Sequence, residues 1–129
     1  MIKKEFILGL TKRLLAYKYI RKGNYWYCIE NDIIRCINIQ VSQWDQNDYF
    51  VEIGIANNNN NQMPKLLQWI FRYHCIGVNG QMCPSVDEVI VMIEQVLSPL
   101  HCMNDVLQQL NELETVKVGN QFHIVPPKQ

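Results

Sequence analysis

The stretch Ile33-Ile34-Arg35-Cys36-Ile37-Asn38-Ile39-Gln40-Val41-Ser42-Gln43-Trp44 decides the fold of this chain. From Arg35 onward, apolar and polar residues nearly alternate, which predicts one long β-strand with one buried face. Ile37, Ile39 and Val41 share the face that we expect to meet the core. The opposite face presents amides, a hydroxyl group and an aromatic ring, so this strand predicts both a core and a candidate recognition surface.

A shorter aromatic strand, Tyr25 to Glu30, precedes the long strand, and only Asn31-Asp32 separates the two. A two-residue turn of this composition predicts a β-hairpin and fixes its register. The predicted cross-strand pairs are Glu30 with Ile33, Cys28 with Arg35, Tyr27 with Cys36, Trp26 with Ile37 and Tyr25 with Asn38. Cys28 and Cys36 then lie on opposite faces, so we do not expect a disulfide between them.

The other strands and the first helix are predicted from periodicity. Apolar residues four apart predict an amphipathic helix over residues 2–16. Residues 49–56 alternate as a third strand. Residues 70–78 are rich in aromatic and β-branched side chains, which favours a fourth strand, although the apolar residues at 66–71 would also suit a helix.

Caps and turns define the C-terminal part of the chain. Ser85 and Glu88 form a capping box that opens a helix, and Ser98-Pro99 breaks this helix. Asn104 can cap a second helical piece. Gly119-Asn120 is a turn signal between two short apolar runs, residues 116–118 and 122–125, which predicts a closing hairpin.

These elements predict a single α+β domain over residues 1–129. We expect an antiparallel sheet of about four strands, with the N-terminal helix and the broken C-terminal helix on one face, plus a short C-terminal hairpin.

Charge is balanced in total, with twelve basic and twelve acidic residues, but it is unevenly distributed. Seven of the basic residues lie within the first 22 positions, whereas residues 73–116 contain no lysine or arginine. This asymmetry indicates either a basic element beside an acidic one or two surfaces with different partners. Ordinary solvated helix faces are the simpler explanation, and we favour it. The neutral total disfavours a nucleic-acid partner.

The sequence predicts a cytoplasmic protein without a membrane anchor. Glu5, Lys12 and Arg13 interrupt the early apolar run, so it does not resemble a signal peptide. No run approaches the roughly 20 apolar residues that span a bilayer. Five cysteines, with no CxxC spacing, are typical of free thiols in a reducing compartment.

The order of these parts resembles one known family. The basic connector of residues 18–23 leads into Tyr25-Trp26-Tyr27 and then into the strand Ile37-Asn38-Ile39-Gln40-Val41-Ser42-Gln43-Trp44. A later Tyr73-His74-Cys75 and Ser98-Pro99-Leu100 follow. This is similar to the domain of unknown function 4304 family of bacteria over residues 5 to 112. The resemblance implies an α+β fold with an antiparallel sheet, no established activity, and an association with toxin-immunity neighbourhoods.

The polar face of the hairpin is the best candidate for recognition. Tyrosine and tryptophan offer large contact area with a polar handle, and amides can bond a peptide or a small ligand. The alternative is an outer sheet face that is wet or covered by another element. The candidate binding residues are Tyr25, Tyr27, Asn38, Gln40, Ser42 and Trp44.

A second candidate surface is the acidic C-terminal segment, which could steer a basic partner if its carboxylates face outward. Ordinary helix polarity is the competing explanation. The candidate residues of this acidic partner surface are Asp87, Glu94, Asp105 and Glu112.

Histidines next to cysteines suggest a metal site or a Cys-His nucleophile pair, but neither is favoured. His74 and Cys75 are adjacent in a predicted strand and point to opposite faces, so they cannot readily bind one ion. His101 and Cys102 lie near the helix break, and a nucleophile would need an oriented base that spacing alone does not supply. We therefore predict no metal and no cofactor.

The function predicted from the sequence is a non-enzymatic interaction protein, an immunity or inhibitor protein that binds one protein partner such as a bacterial toxin. It would use the polar-aromatic sheet face or the acidic helix. The alternative is an enzyme acting on a small molecule or a nucleic acid through the same sheet face, with His74 as acid or base.

Overall fold

The computed structural model describes residues 3–41, 48–77 and 80–125. The helices in these ranges are α1 (Lys3–Leu15), α2 (Val86–Met92, which continues as a π-helical segment, Ile93–Leu97) and α3 (Met103–Glu112). The strands are β1 (Ile20–Lys22), β2 (Tyr25–Glu30), β3 (Ile33–Val41), β4 (Tyr49–Asn57), β5 (Phe71–Cys75), β6 (Thr115–Val118) and β7 (Gln121–Ile124). None of the helices in the described ranges has the length and apolar content to cross a bilayer.

The strands form one seven-stranded mixed sheet in the order β1-β2-β3-β4-β5-β7-β6. The α+β class is confirmed, but the prediction of about four antiparallel strands is wrong. β1, three exposed residues in the basic connector, pairs with β2 at one edge. The C-terminal hairpin is not separate, because β7 pairs with β5 in parallel, with Phe122 beside Phe71. Neither pairing leaves a local signal in the sequence.

The hairpin of β2 and β3 has the predicted register, with Glu30 paired to Ile33 and Trp26 paired to Ile37. Asn31 adopts the left-handed conformation (φ 52°) that a tight turn requires and that asparagine tolerates. β3 reaches Val41, and the predicted continuation through Ser42 and Trp44 lies outside the described residues.

The main core lies between the three helices and one face of the sheet. Ile37 and Ile39 are buried on this face together with Trp26, as the alternation predicts. Both the N-terminal helix and the broken C-terminal helix contribute to this core. Their buried side chains are Phe6, Leu10 and Leu14 of α1, Val89, Ile93 and Leu97 of α2 and its extension, and Val106 of α3.

A second, smaller core lies on the opposite face, which we call the open face because no helix covers it. Residues 63–69, which we call the strap, pass over this face and include a 3-10 turn, Leu66–Gln68. Ile34, Cys36 and Trp69 are each at most 2% exposed and pack there. The part of this face around Ile34 and Cys36 is therefore apolar and covered by the strap.

Gly54 allows the strap to approach the sheet. A Cβ atom at this position would lie 2.1 Å from the carbonyl oxygen of Phe71 and 2.7 Å from Cε3 of Trp69. Both distances are far shorter than van der Waals contact, so only glycine fits between β5 and the Trp69 ring.

The helix break after Leu97 is held by a buried arginine from β3. Arg35 is 7% exposed, and its guanidinium donates to the carbonyl oxygens of Leu97 (3.2 Å) and Leu100 (2.7 Å). It also pairs with Glu30 at 3.0 Å. Pro99 cannot donate to the helical ladder. The Leu97 carbonyl also accepts from the backbone N–H of Leu100 at 3.0 Å, so Arg35 adds a second donor there and links the Leu100 carbonyl to β3.

The capping box of α2 is confirmed, because Glu88 N donates to Ser85 Oγ (3.1 Å) and Ser85 N donates to Glu88 Oε1 (3.0 Å). The predicted cap of α3 is wrong. Asn104 lies inside the helix, and the backbone N–H of Met103 donates instead to Oδ1 of Asp32, 2.8 Å away in the β2–β3 turn. The cap comes from a residue far away in sequence, which local spacing cannot reveal.

We expect Gly54→Ala to lower the free energy of unfolding by at least about 3 kcal/mol, because the methyl group meets a backbone carbonyl that cannot move away. Urea denaturation measures the loss. Gly9→Ala in α1 is the matched control, since its Cβ would meet only a Val86 methyl at 3.3 Å, and its effect should stay within about 1 kcal/mol. Equal stabilities for the two variants would contradict this account of the strap.

Arg35→Met should lower the free energy of unfolding by about 2 kcal/mol, because the carbonyls of Leu97 and Leu100 lose their buried donor while the aliphatic stem is kept. Chemical denaturation of both proteins at neutral pH gives the value. Lys22→Met, at an exposed position of β1, is the control and should change stability by less than about 0.5 kcal/mol. A fully stable Arg35→Met variant would show that the break does not need this side chain.

Candidate functional site

Beyond the strap, the open face carries a charged group on its central strands. Val51 and Ile53 of β4 face the main core, so Glu52 between them faces the other way. The β4–β5 register then brings His74 opposite Glu52 and places Arg72 two residue pairs along, opposite Gly54. We call Glu52, Arg72 and His74 the Glu52 cluster.

The cluster is joined through one carboxylate oxygen. Oε1 of Glu52 lies 3.1 Å from Nη2 of Arg72 and 3.0 Å from Nδ1 of His74. The Glu52 side chain is 11% exposed, whereas that of His74 is 36% exposed. The carboxylate is thus held beneath the surface, and the histidine ring is its solvent-facing member.

The two partners of the ion pair stabilise each other's charged form. Burial alone would raise the pKa of Glu52, but the hydrogen bond from His74 and the charge of Arg72 outweigh it, and the pKa is lowered. The hydrogen bond to Glu52 raises the pKa of His74, against the opposing effects of burial and of the Arg72 charge. Glu52 is therefore an anion at neutral pH, and His74 is shifted toward its cationic form.

Amide and aromatic side chains border the cluster. Asn38 of β3 pairs with Glu52 in register and is 5% exposed. Its Nδ2 donates to the carbonyl of Asn24 at 3.2 Å, while its buried Oδ1 finds no partner within the described residues. Gln40 pairs with Phe50, whose ring lies 6.2 Å from the His74 ring.

Four of the six predicted binding residues lie on this face, and two of those hold the strap. The hydroxyl of Tyr27 donates to the Pro64 carbonyl (2.7 Å), and the hydroxyl of Tyr25 accepts from Leu66 N (3.1 Å). Tyr27 is only 4% exposed. The rings stack at 5.5 Å, so their aromatic area serves packing more than recognition. Asn38 and Gln40 remain beside the cluster, whereas Ser42 and Trp44 lie outside the described residues.

Glu52 and Arg72 were not predicted as site residues. The alternation of β4 already places Glu52 opposite to Val51 and Ile53, so its outward direction is readable from the sequence. Its position beside Asn38 and His74 cannot be read from the sequence, because it depends on the β3–β4 and β4–β5 registers. No turn residue pattern in the sequence fixes either of them.

The predicted acidic surface is partly neutralised by the basic N-terminal helix. Asp87 forms an ion pair with Arg13, and Glu94 accepts a hydrogen bond from Tyr17. Asp105 accepts from the backbone N–H of His101 at 2.9 Å, and Glu112 is exposed. The sequence admits several explanations for the uneven charge. The Arg13–Asp87 ion pair agrees with the one in which a basic element lies beside an acidic one.

The cysteine and histidine pairs do not come together as a reactive site. His74 lies on the open face, whereas Cys75 is fully buried in the main core, as the strand alternation predicts. Burial raises the pKa of the Cys75 thiol far above its usual range, which disfavours the thiolate that a nucleophile needs. His101 pairs with Glu30 at 2.7 Å. Residues 3–41, 48–77 and 80–125 contain no cluster of three or more side chains suited to a metal ion.

Comparison with known families agrees with the predicted resemblance. Residues 10–117 match the family described as Domain of unknown function (DUF4304). The chain belongs to this family. The matched range includes the whole Glu52 cluster and the strap of this DUF4304 protein. No curated protein and no solved structure matches the chain significantly.

The Glu52–His74 ion pair predicts a stability contribution confined to mildly acidic pH. The contribution of Glu52 is present above its unfolded pKa near 4.5 and is lost as pH falls through its lowered folded pKa. That of His74 is complete below 6.5 and is lost as pH rises through its raised folded pKa. His74→Gln should therefore be destabilised most between pH 4.5 and 6.5.

Urea denaturation of both proteins from acidic to alkaline pH measures this difference. We expect a maximum of about 1 kcal/mol, because the half-exposed ring is partly screened by water. His123→Gln is the control, since His123 contacts the neutral amide of Gln121 at 3.0 Å. A difference for His74→Gln that does not decline above neutral pH would contradict the ion pair.

Proposed function

We propose that this DUF4304 protein is a non-enzymatic binding protein that recognises one protein partner through the open face around the Glu52 cluster. In this proposal it acts in the bacterial cytoplasm as an immunity or inhibitor protein, and its partner is a toxin. The observation that carries the proposal is the sharing of one Glu52 oxygen by Arg72 and His74, whose ring is partly exposed to solvent.

A shared carboxylate of this kind favours recognition because it fixes two cationic side chains before a partner arrives. Arg72 and His74 lose little further conformational freedom on binding, which lowers the entropic cost of association. Phe50 adds an aromatic ring and Gln40 an amide next to them. An aromatic group beside organised polar groups is typical of the centre of a protein interface.

The ion pair weighs against His74 or Glu52 as a general base, which is one form of the enzyme alternative. A general base works best when its pKa lies near the working pH. The lowered pKa of Glu52 makes its carboxylate a weak base, and the hydrogen bond to Glu52 raises the pKa of His74, so this ring gives up its proton less readily. In favour of that alternative, a carboxylate that orients a histidine Nδ1 is also found in catalytic pairs.

The acidic helix surface is the weaker of the two interface candidates. Asp87 and Glu94 already contact Arg13 and Tyr17 within the chain. A partner would have to displace these contacts before it could use the carboxylates. Phe50 and Gln40 lie on the sheet face beside the Glu52 cluster, so a partner there displaces neither of these contacts.

The proposal is tested with a partner captured from the native cell and then purified. We expect Phe50→Ala to raise the dissociation constant at least about tenfold, because it removes the ring at the centre of the proposed patch. Isothermal titration calorimetry measures the constant. Val91→Ala, at a half-exposed position of α2, is the matched control and should leave affinity unchanged.

Equal binding by Phe50→Ala and the parent protein would refute the sheet face as the interface. A loss of affinity on Glu94→Gln but not on Phe50→Ala would assign the interface to the acidic helix. Steady turnover of the captured partner, abolished by His74→Gln, would replace the binding proposal with the enzymatic one.

A further inference from the structure

A groove of about 350 Å³ lies at the β1–β2 end of the open face. β1 forms one wall, β2 lies beneath, and Met63 at the start of the strap contributes the opposite wall. We call this the β1 groove. Its lining residues are Lys18, Ile20, Lys22, Tyr27, Ile29 and Met63.

The lining of the β1 groove is largely apolar. Ile20 is 67% exposed and Ile29 is 39% exposed, which is high for isoleucine in a sheet. Tyr27 also lines the groove, but it is only 4% exposed, so the isoleucines and Met63 provide most of the accessible apolar surface. The volume is at the lower end of the range for small-molecule sites, so the groove fits a compact apolar body and not an extended cofactor.

The charge of the groove has one sign. Lys18 and Lys22 line it, and its lining among the described residues includes no carboxylate. Neither ammonium group forms an ion pair with a carboxylate of the described residues. Two uncompensated cations beside an apolar groove complement a ligand with a hydrocarbon body and an anionic end.

The backbone gives Lys18 a second distinction. It follows α1 in the left-handed conformation (φ 67°), and the backbone N–H groups of Lys18 and Tyr19 donate to the carbonyls of Leu15 and Leu14. This pattern is a helix C-terminal motif whose left-handed position is usually glycine. The backbone conformation at this position favours glycine, yet the chain has a lysine there, and its long cationic side chain lines the groove.

We propose that the β1 groove binds a small amphipathic carboxylate, such as a medium-chain fatty acid. The hydrocarbon lies along Ile20, Ile29 and Met63, and the carboxylate pairs with Lys18 and Lys22. This site is separate from the Glu52 cluster, and the inference does not depend on the proposed partner.

Octanoate is the probe, with octanol as the uncharged comparator of the same chain length. Methyl-resolved NMR should show shifts of the Ile20, Ile29 and Met63 methyl groups on addition of octanoate. The methyl group of Ile33, in the main core, should not move. Octanol should bind roughly fivefold more weakly than octanoate at low salt, since it lacks the charge that the lysines attract.

Lys18→Gly separates a ligand role from a structural one. It should weaken octanoate binding roughly threefold to fivefold while the thermal unfolding midpoint stays equal or rises, because glycine relieves the left-handed backbone. Lys22→Met should weaken binding similarly. Lys12→Met, which lies on α1 and lines a different groove, is the control and should bind octanoate like the parent protein.

The inference is overturned if octanol binds as tightly as octanoate, if the shifts fall on other methyl groups, or if Lys18→Gly and Lys22→Met bind octanoate normally. It is also overturned if octanoate does not bind while Lys22→Met weakens binding of the captured protein partner, since the groove would then belong to a protein interface. Failure of the partner experiment alone leaves the octanoate result unaffected.

Discussion

Burial of β3 on both faces is the constraint on which the rest of this structure depends. Every residue from Ile33 to Ile39 is buried, including those that alternate away from the helices. A strand of this kind needs a cover on each side. The helices provide one, and the strap provides the other with Trp69 seated over Gly54. The tyrosines of β2 fasten the strap, so the second cover follows from the same hairpin that builds the first.

The hairpin register could be predicted from sequence because everything that fixes it is local. Asn31-Asp32 sets the turn, and the apolar alternation of β3 allows only one face toward the core. The capping box of α2 is local in the same sense. The α3 cap comes from a residue 71 positions away, and β7 pairs with β5 across about 50 positions, so spacing within a short window cannot reveal either contact. β1 was missed because three exposed residues carry no burial pattern.

In the candidate site, too, the features fixed by local sequence were predictable and those fixed by distant residues were not. The shared face of Tyr25, Asn38 and Gln40 follows from the period of two in a strand and was predicted. Which part of that face stays open depends on the strap, and residues 63–69 have no regular pattern that predicts where they lie. Glu52 and Arg72 meet His74 only after β4 and β5 have paired. The acidic residues of the C-terminal helices look available in the sequence, whereas the folded chain sets Arg13 and Tyr17 against two of them.

The parallel pairing of β5 with β7 has a consequence for the order in which the chain assembles. Parallel neighbours cannot be joined by a tight turn, and here the connection carries both C-terminal helices across the sheet. β7 pairs with β5 across a connection that contains α2, α3 and β6, whereas the β2–β3 hairpin closes over two residues. We therefore expect the β2–β3 hairpin to form early in folding and the β7–β6 edge to pair late.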